Sequence, residues 1–355
     1  MRSDGDSSGF SACVRRAWYV ACASPELDRA PLARTLLGTP LVLFRGPEGK
    51  PAALLDRCAH RNAPLSAGRV VDQRLECLYH GWQFGPEGRC LKIPGLCAEM
   101  EQKIARNVPR FPTVEQDGFV WVYATPDVEP PQRPFALPSL GEGAVEVRRI
   151  VRVESPLHAA LENALDVPHT AVLHRGLFRG GREPLRIKAR VSRTPEGVQA
   201  EYLGEPRPEG WAAKILSPSG GVVSHFDRFI LPSIAQVEYR LGSEVHFLVN
   251  SICTPVDDYL TKIHAVIQFR TRFPGWLVKV LLNPVATRIF KQDAQVLKLQ
   301  GENIRRFGGE HYASTAIDVL GLQIARLLRL AETGGAEAPA EGAPDEWSRE
   351  IELEV

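Results

Sequence analysis

"CAHRNAPLSAGRVVDQRLECLYHGW" runs from Cys58 to Trp82. It holds two short loops, Cys58-Ala-His60 and Cys77-Leu-Tyr-His80, and each supplies one thiol and one imidazole. Sixteen residues separate His60 from Cys77, room for a strand, a turn and a returning strand, so the loops can face each other. Two cysteines and two histidines suit a structural zinc site. Zinc modules, however, usually group Cys with Cys and His with His.

One cysteine and one histidine per loop is what a Rieske [2Fe–2S] centre needs, because one iron takes two thiolates and the other two imidazoles. The flanking Gly81-Trp82 agrees with that reading. We take Cys58, His60, Cys77 and His80 as its ligands, with structural zinc as the rival.

Around these loops the chain reads as an ordinary globular protein. Its 355 residues allow two domains or one large one. Apolar residues make up 44% and charged residues 24%. A net charge of +1 gives no electrostatic footprint for nucleic acid or an anionic membrane. The opening MRSDGDSSGF lacks a signal-peptide apolar core. The stretch 276–290 is broken by Lys279, Asn283, Pro284 and Arg288, too polar and too short for a membrane span. Seven cysteines, an odd number, point to a reducing cytoplasm with paired cysteines binding metal.

Four segments are expected. Residues 1–37 form an N-terminal segment packing on the core, and 38–147 a β-domain of short strands around 41–44, 52–55 and 118–124. Residues 148–331 carry seven alternating runs, 145–153, 186–192, 198–203, 222–230, 234–240, 245–252 and 262–270, which predict one large antiparallel sheet. Helical patterns lie at 157–165, 285–307 and 314–330. Residues 332–355 are a flexible linker and tail, whose final Ile-Glu-Leu-Glu-Val alternates like an edge strand.

The second constellation is "LENALDVPHTAVLH", 161–174. Glu162, Asn163 and Asp166 fall near one helical face. His169 and His174 are five apart and would diverge by about 140° on a regular helix. Pro168 disturbs that helix, and a wide turn or a π-bulge would bring both rings to one point. Two histidines need one carboxylate to make a facial triad for non-haem Fe(II). Asp293, within "IFKQDAQVLKLQ" (289–300), is the first candidate, on a helix with Phe290, Val296 and Leu297 toward the buried side. Glu302 is weaker, and Asp257 and Asp258 weaker still. The plain reading is two unrelated histidines and a solvated helix charge.

Together, Cys-Ala-His-Arg at 58–61, Cys-Leu-Tyr-His-Gly-Trp at 77–82, Asp-Val-Pro-His-Thr-Ala-Val-Leu-His at 166–174 and Gln-Asp-Ala-Gln-Val-Leu at 292–297 make the chain resemble the oxygenase (α) component of the Rieske non-haem iron oxygenases. The Arg-Arg-Ala-Trp-Tyr-Val opening and modest length look like the monooxygenase and demethylase branch without a small β subunit. That branch includes O- and N-demethylases, pheophorbide a oxygenase and steroid-type members.

The resemblance implies an α+β chain, a Rieske antiparallel β-domain beside a helix-grip catalytic domain with a large antiparallel sheet, assembled as a head-to-tail homotrimer. By carry-over, Cys58 and Cys77 hold the outer cluster iron and His60 and His80 the inner one. His169, His174 and Asp293 hold the mononuclear Fe(2+). Asp166 bridges a cluster histidine of one subunit to an iron-ligand histidine of the next, and Asn163 lies near the iron, contacting water. Rieske proteins of the respiratory type carry extra cysteines where Ala63 and Tyr79 stand, and a hydrogen-bonding serine where Trp82 stands. Fewer donors to sulfur place the expected potential near about −150 mV.

The implied function is a terminal oxygenase inserting oxygen from O2 into a C–H bond of a small organic substrate, by hydroxylation or by oxidative demethylation or desaturation. No G-x-G-x-x-G turn and no plant-type ferredoxin spacing is present, so NAD(P)H acts through a separate flavin-dependent reductase, with or without a ferredoxin between. The alternatives are a ring cis-dihydroxylating dioxygenase, and a Rieske electron carrier or redox sensor without mononuclear iron. Cys13, Cys22, Cys90, Cys97 and Cys253 show no further ligand spacing. His225, His246 and His264 read first as packed or exposed strand residues, and second as pocket lining. Arg61 reads as serving the cluster loop or a reductase-docking face.

Overall fold

The computed structural model describes residues 14–96, 103–174, 186–205, 223–242, 245–271, 273–334 and 348–354. Cys13 and Cys97 lie outside them. The chain divides into two compact units, Arg15–Leu137, and Pro138–Val355 together with Met1–Val14.

The first unit is all short strands: β1 (Trp18–Ala23), β2 (Leu32–Leu36), β3 (Thr39–Arg45), β4 (Pro51–Leu55), β5 (Arg69–Val71), β6 (Arg74–Glu76), β7 (Gln83–Phe84), β8 (Cys90–Lys92), β9 (Arg110–Phe111), β10 (Thr113–Gln116) and β11 (Phe119–Tyr123). They form three antiparallel sheets, ordered β1-β11-β10, β2-β3-β4-β9 and β5-β6-β7-β8. Two-residue hairpins at Leu37-Gly38, Asp72-Gln73 and Asp117-Gly118 all carry positive φ at both central residues. That twist matches the flanking strands. The Asp72-Gln73 hairpin joins β5 to β6 and brings the second Cys/His loop back beside the first. Phe44, Leu54, Leu65, Leu75 and Phe84 form the core there, and Cys58 and Cys77 belong to it. Residues 18–36 are part of this unit's sheets, because the buried run Trp18-Tyr19-Val20 pairs with β11.

The second unit contains β12 (Val145–Val153), α1 (Leu157–Leu165), α2 (Pro168–Leu173), β13 (Arg186–Thr194), β14 (Gly197–Leu203), β15 (Val223–Ile230), β16 (Ile234–Leu241), β17 (Val245–Asp257), β18 (Leu260–Arg270), α3 (Gly275–Phe307), α4 (Gly321–Glu332) and β19 (Ser348–Glu354). All seven predicted runs are strands of one antiparallel sheet, ordered β12-β18-β17-β16-β15-β14-β13-β19. α1 packs against β15 to β18, and α3 against β12. The alternating C-terminal stretch is an edge strand on β13, not part of a flexible tail. The α+β class holds.

Two helices depart from their expected limits. α3 begins at Gly275, not 285, and runs through Pro284. Proline removes one donor from the helix ladder. The neighbouring Asn283 is pinned, because Thr287 Oγ1 donates to its carbonyl at 2.7 Å and Arg149 Nη2 to its Oδ1 at 2.6 Å. α4 begins at Gly321, not 314, because a turn precedes it in which Thr315 N and Oγ1 both donate to Asp318 Oδ2. Val278 is buried near the start of α3, and in its second half the buried stripe is Leu297, Gly301 and Ile304, while Val296, expected near it, is exposed. Gly301 marks the closest approach: a Cβ there would stand 2.1 Å from the carbonyl oxygen of Glu154, just past β12.

Candidate functional site

The two Cys/His loops are one turn built twice. Cys58 N donates to Ala63 O at 2.8 Å, and Asn62 N donates back to Cys58 O at 3.0 Å. Cys77 N donates to Trp82 O at 2.8 Å, and Gly81 N donates back to Cys77 O at 3.0 Å. Asn62 and Gly81 hold equivalent positions, both left-handed, at φ 59° and 67°. The paired turns bring His60 and His80 together, ring centroids 4.5 Å apart, and Trp82 stacks flat on His60 at 4.7 Å.

Burial corrects one carried-over assignment. Cys58 and Cys77 are 1% and 3% exposed, His60 is half-buried and His80 exposed. The thiol side of the loops faces the core, so the iron held by the cysteines would be the inner one and that held by the histidines the outer one. Burial pushes the Cys58 thiol up to about 11, and the nearby Cys77 adds to that, although backbone N–H groups oppose it. A metal reverses this, because a coordinated thiol is deprotonated. Nδ1 of His60 is buried and has no hydrogen-bond partner among the described residues. A free thiol pair and an unpartnered imidazole nitrogen on facing turns fit a cluster.

The second constellation is assembled by a broken helix. α1 ends at Leu165, and Asp166 turns extended at φ −94°, ψ 105°. Pro168 then opens α2 at a position where a missing N–H costs nothing. His169 lies in the first turn of α2 and His174 closes it as C-cap. Neither expected device, wide turn or π-bulge, separates the two histidines: His174 N donates to Thr170 O at 3.2 Å, an ordinary helical bond, and the break lies before both, at Asp166. The imidazoles meet with Nε2 atoms 3.3 Å apart. Asp293, reaching in from α3, places Oδ1 3.0 Å from His174 Nε2 and 3.7 Å from His169 Nε2. The three groups offer one ligand atom each within 4.8 Å of one another. Asp293 Oδ1 is buried without a hydrogen bond among the described residues. Two imidazoles and a carboxylate converging on one point, with an orphaned oxygen among them, fit a divalent metal with positions left open.

Asp166 orients His169. Its Oδ2 accepts the His169 backbone N–H at 3.3 Å and lies 3.4 Å from Nδ1, and its backbone carbonyl contacts the same nitrogen. Burial opposes protonation of His169, but the nearby carboxylates of Asp166 and Asp293 outweigh it and raise the ring to about 9. Asn163 is half-buried on α1. Glu162 does not join the centre: its Oε1 packs against Gly321 at the start of α4. Glu302 and Asp257 are exposed, and Asp257 accepts the N–H of Tyr259 in a turn.

Two features escaped the sequence reading. Gln292, quoted only as a neighbour of Asp293, places Oε1 3.0 Å from His174 Nδ1. His225, read first as packing, is 2% exposed and sits between two carboxylates, Glu205 Oε2 at 2.8 Å from Nδ1 and Asp227 Oδ1 at 3.0 Å from Nε2. Its cross-strand neighbours Tyr202 and Tyr239 stack on either side at 4.5 and 3.8 Å. Burial works against its charge, yet Asp227 and Glu205 raise it to about 9. Tyr202 is pushed well up, first by burial, then by Asp227, Tyr239 and Asp166. Asp227 is two residues from His225 on β15, on the same face, but Tyr202 on β14, Tyr239 on β16 and Glu205 just past β14 reach it only through strand pairing, so the local spacing gave only one of the four partners.

Comparison with known proteins agrees with the geometry. The Rieske [2Fe-2S] domain family matches residues 17–112, and the vanillate O-demethylase oxygenase C-terminal domain family matches residues 153–332. The dicamba O-demethylase oxygenase component of Stenotrophomonas maltophilia is 39% identical over 46% of this chain, and the match spans about half that relative's length, 48%. The vanillate O-demethylase oxygenase subunit of Pseudomonas sp. (strain HR199 / DSM 7063) is 27% identical over 88% of this chain and 93% of its own. The crystal structure of dicamba monooxygenase bound to 3,6-dichlorosalicylic acid superimposes with a TM-score of 0.74 and 26% identity, covering 91% of this chain and 99% of that one. With a repeated Cys/His turn in one unit and a two-histidine, one-carboxylate centre in the other, the chain belongs to the Rieske non-haem iron oxygenases.

Proposed function

We propose that the protein is the terminal oxygenase of an O2-dependent system that inserts oxygen into a C–H bond of a small organic substrate. Hydroxylation beside a heteroatom, ending in demethylation, is the favoured outcome. The convergence of His169, His174 and Asp293 carries the reading, because a bare electron carrier has no use for it. The match to the vanillate O-demethylase type of catalytic domain favours demethylation over ring dihydroxylation.

Cys58, His60, Cys77 and His80 would hold the cluster, and His169, His174 and Asp293 the mononuclear iron. When bound, these centres supply one-electron transfer and O2 activation. The protein's part is placement. Asp166 holds the His169 ring with Nε2 toward the metal position. α3 delivers the carboxylate, and Asn163 stands on the neighbouring turn of α1. Electrons come from NAD(P)H through a separate flavin-dependent reductase, with or without a ferredoxin. The exposed His80 and the partly exposed Asp166 side chain support a head-to-tail homotrimer in which Asp166 of one subunit meets a cluster histidine of the next. Buried Cys90 and Cys253, in no disulfide among the described residues, support a reducing, cytoplasmic setting. Among the described residues no helix is long and apolar enough to cross a membrane.

The test is turnover of iron-loaded protein with a reductase, NADH and ¹⁸O₂ against a panel of O-methyl and N-methyl aromatic compounds and against extract of the source cell, read by mass spectrometry. A product that has lost CH₂ or gained labelled oxygen supports the reading. A cis-diol would move it to the dioxygenase class. Iron content of about two per chain, without turnover, would move it to the carrier class.

A further inference from the structure

Resting on the reading of His174 as an iron ligand, we propose that Gln292 is a positioning residue that fixes the tautomer and ring orientation of His174. A ligating imidazole presents the lone pair of one nitrogen and must place the N–H of the other on an acceptor. For His169 that acceptor is Asp166. For His174 it is Gln292, whose Oε1 lies 3.0 Å from Nδ1. A carbonyl oxygen only accepts, so the proton sits on Nδ1 and Nε2 carries the lone pair. Nε2 then faces Asp293 Oδ1 at 3.0 Å and the Nε2 of His169 at 3.3 Å. Once a cation is bound, the lone pairs of both Nε2 atoms and the carboxylate oxygen can share it.

Gln292 and Asp293 are adjacent on α3, so their side chains leave the helix about 100° apart. The 2%-exposed ring of His174 lies between them, one nitrogen to each. α3 therefore sets both the carboxylate ligand and the angle of the second imidazole. The acceptors also differ in charge. His169 leans on a carboxylate and His174 on a neutral amide, so His174 is the less electron-rich ligand. On its outer side Gln292 borders a shallow groove with Pro284, Thr287, Arg288, Lys291 and Gln295. Gln292→Leu, similar in volume, thus removes the acceptor without opening a sealed cavity.

The experiment is a Co(II) titration of full-length protein stripped of mononuclear iron but keeping its cluster. Affinity and the cobalt ligand-field spectrum are read for the wild type, Gln292→Leu, Gln292→Glu and His174→Ala. Gln292→Leu should weaken binding about 10–100-fold and alter the spectrum, whereas Gln292→Glu, which keeps an acceptor, should bind at least as tightly as wild type. Unchanged affinity and spectrum in Gln292→Leu would overturn the positioning role. Equal weakening in both Gln292 variants would also overturn it, since the loss would then not follow the acceptor. His174→Ala separates the two levels: full cobalt binding there means that His174 is no ligand, while lost binding there with an unaffected Gln292→Leu defeats only the role of Gln292.

Discussion

Asp166 serves two ends with one carboxylate, accepting the His169 backbone N–H and facing the His169 ring. Asp166→Asn keeps an acceptor there but removes the charge. Both metal contents should persist, while product formation falls by about 100-fold or more, the upper end for a residue that orients a metal ligand. Normal turnover with normal iron would end the bridging role. His225 makes a different prediction. Its folded value of about 9 lies above the unfolded value of about 6.5, so its stabilising contribution is complete below about 6.5 and is lost as pH rises through about 9. Thermal melts between pH 6 and 10 should show wild-type stability falling across that window. His225→Gln should melt lower at pH 6, with the two carboxylates left uncompensated, and change less with pH. Parallel curves would mean that the ring is neutral in the fold. The same residues mark the limits of sequence reading. The cysteines and histidines were legible because spacing carries their chemistry. The depth of the cysteines was not, because it depends on which side of the loop meets the Phe44–Leu54–Phe84 core. Tyr202, Tyr239 and Glu205 gather around His225 only once β14, β15 and β16 pair, whereas Asp227 already lies two residues along the same strand.

At the scale of elements, strands were read better than helices. Alternation over β12 to β18 is local, and every predicted run survived in the sheet. α3 starts ten residues before the expected 285, because the helix continues through Pro284 with Asn283 held from outside. The contact that seats α3 was illegible for the same kind of reason, since Gly301 owes its identity to a carbonyl at Glu154. Gly301→Ala would force the helix off that carbonyl, an overpacking worth about 1–3 kcal/mol. Asp293 lies eight residues earlier on the same rigid element, so its carboxylate should move with the helix. The expected result is a lower melting temperature and reduced mononuclear iron, with the cluster absorbance unchanged. If the variant keeps all its iron, the closeness of α3 to the end of β12 does not set the position of Asp293.

At the scale of the whole molecule, each candidate centre is complete within one unit. Cys58, His60, Cys77 and His80 all lie in Arg15–Leu137, and His169, His174 and Asp293 all lie in the other unit. Neither set borrows a donor from across the division. The donor sets also differ in kind: buried thiols with imidazoles suit iron–sulfur chemistry, while imidazoles with a carboxylate suit a single Fe(II). Loss of one centre should therefore leave the other loaded. Wild-type protein should hold about three irons per chain, Cys77→Ser about one without cluster absorbance, and His174→Ala about two with full cluster absorbance. A chelator at neutral pH should draw the third iron from wild type long before the cluster bleaches, because the mononuclear site keeps open positions and the thiolates lie in the core. If instead His174→Ala also bleaches the cluster, the two units fold as one cooperative body, and metal loss in either would have to be reassigned to unfolding. Circular dichroism of the same samples separates these cases: an unchanged fold with one iron missing identifies His174 as a ligand of the third iron alone.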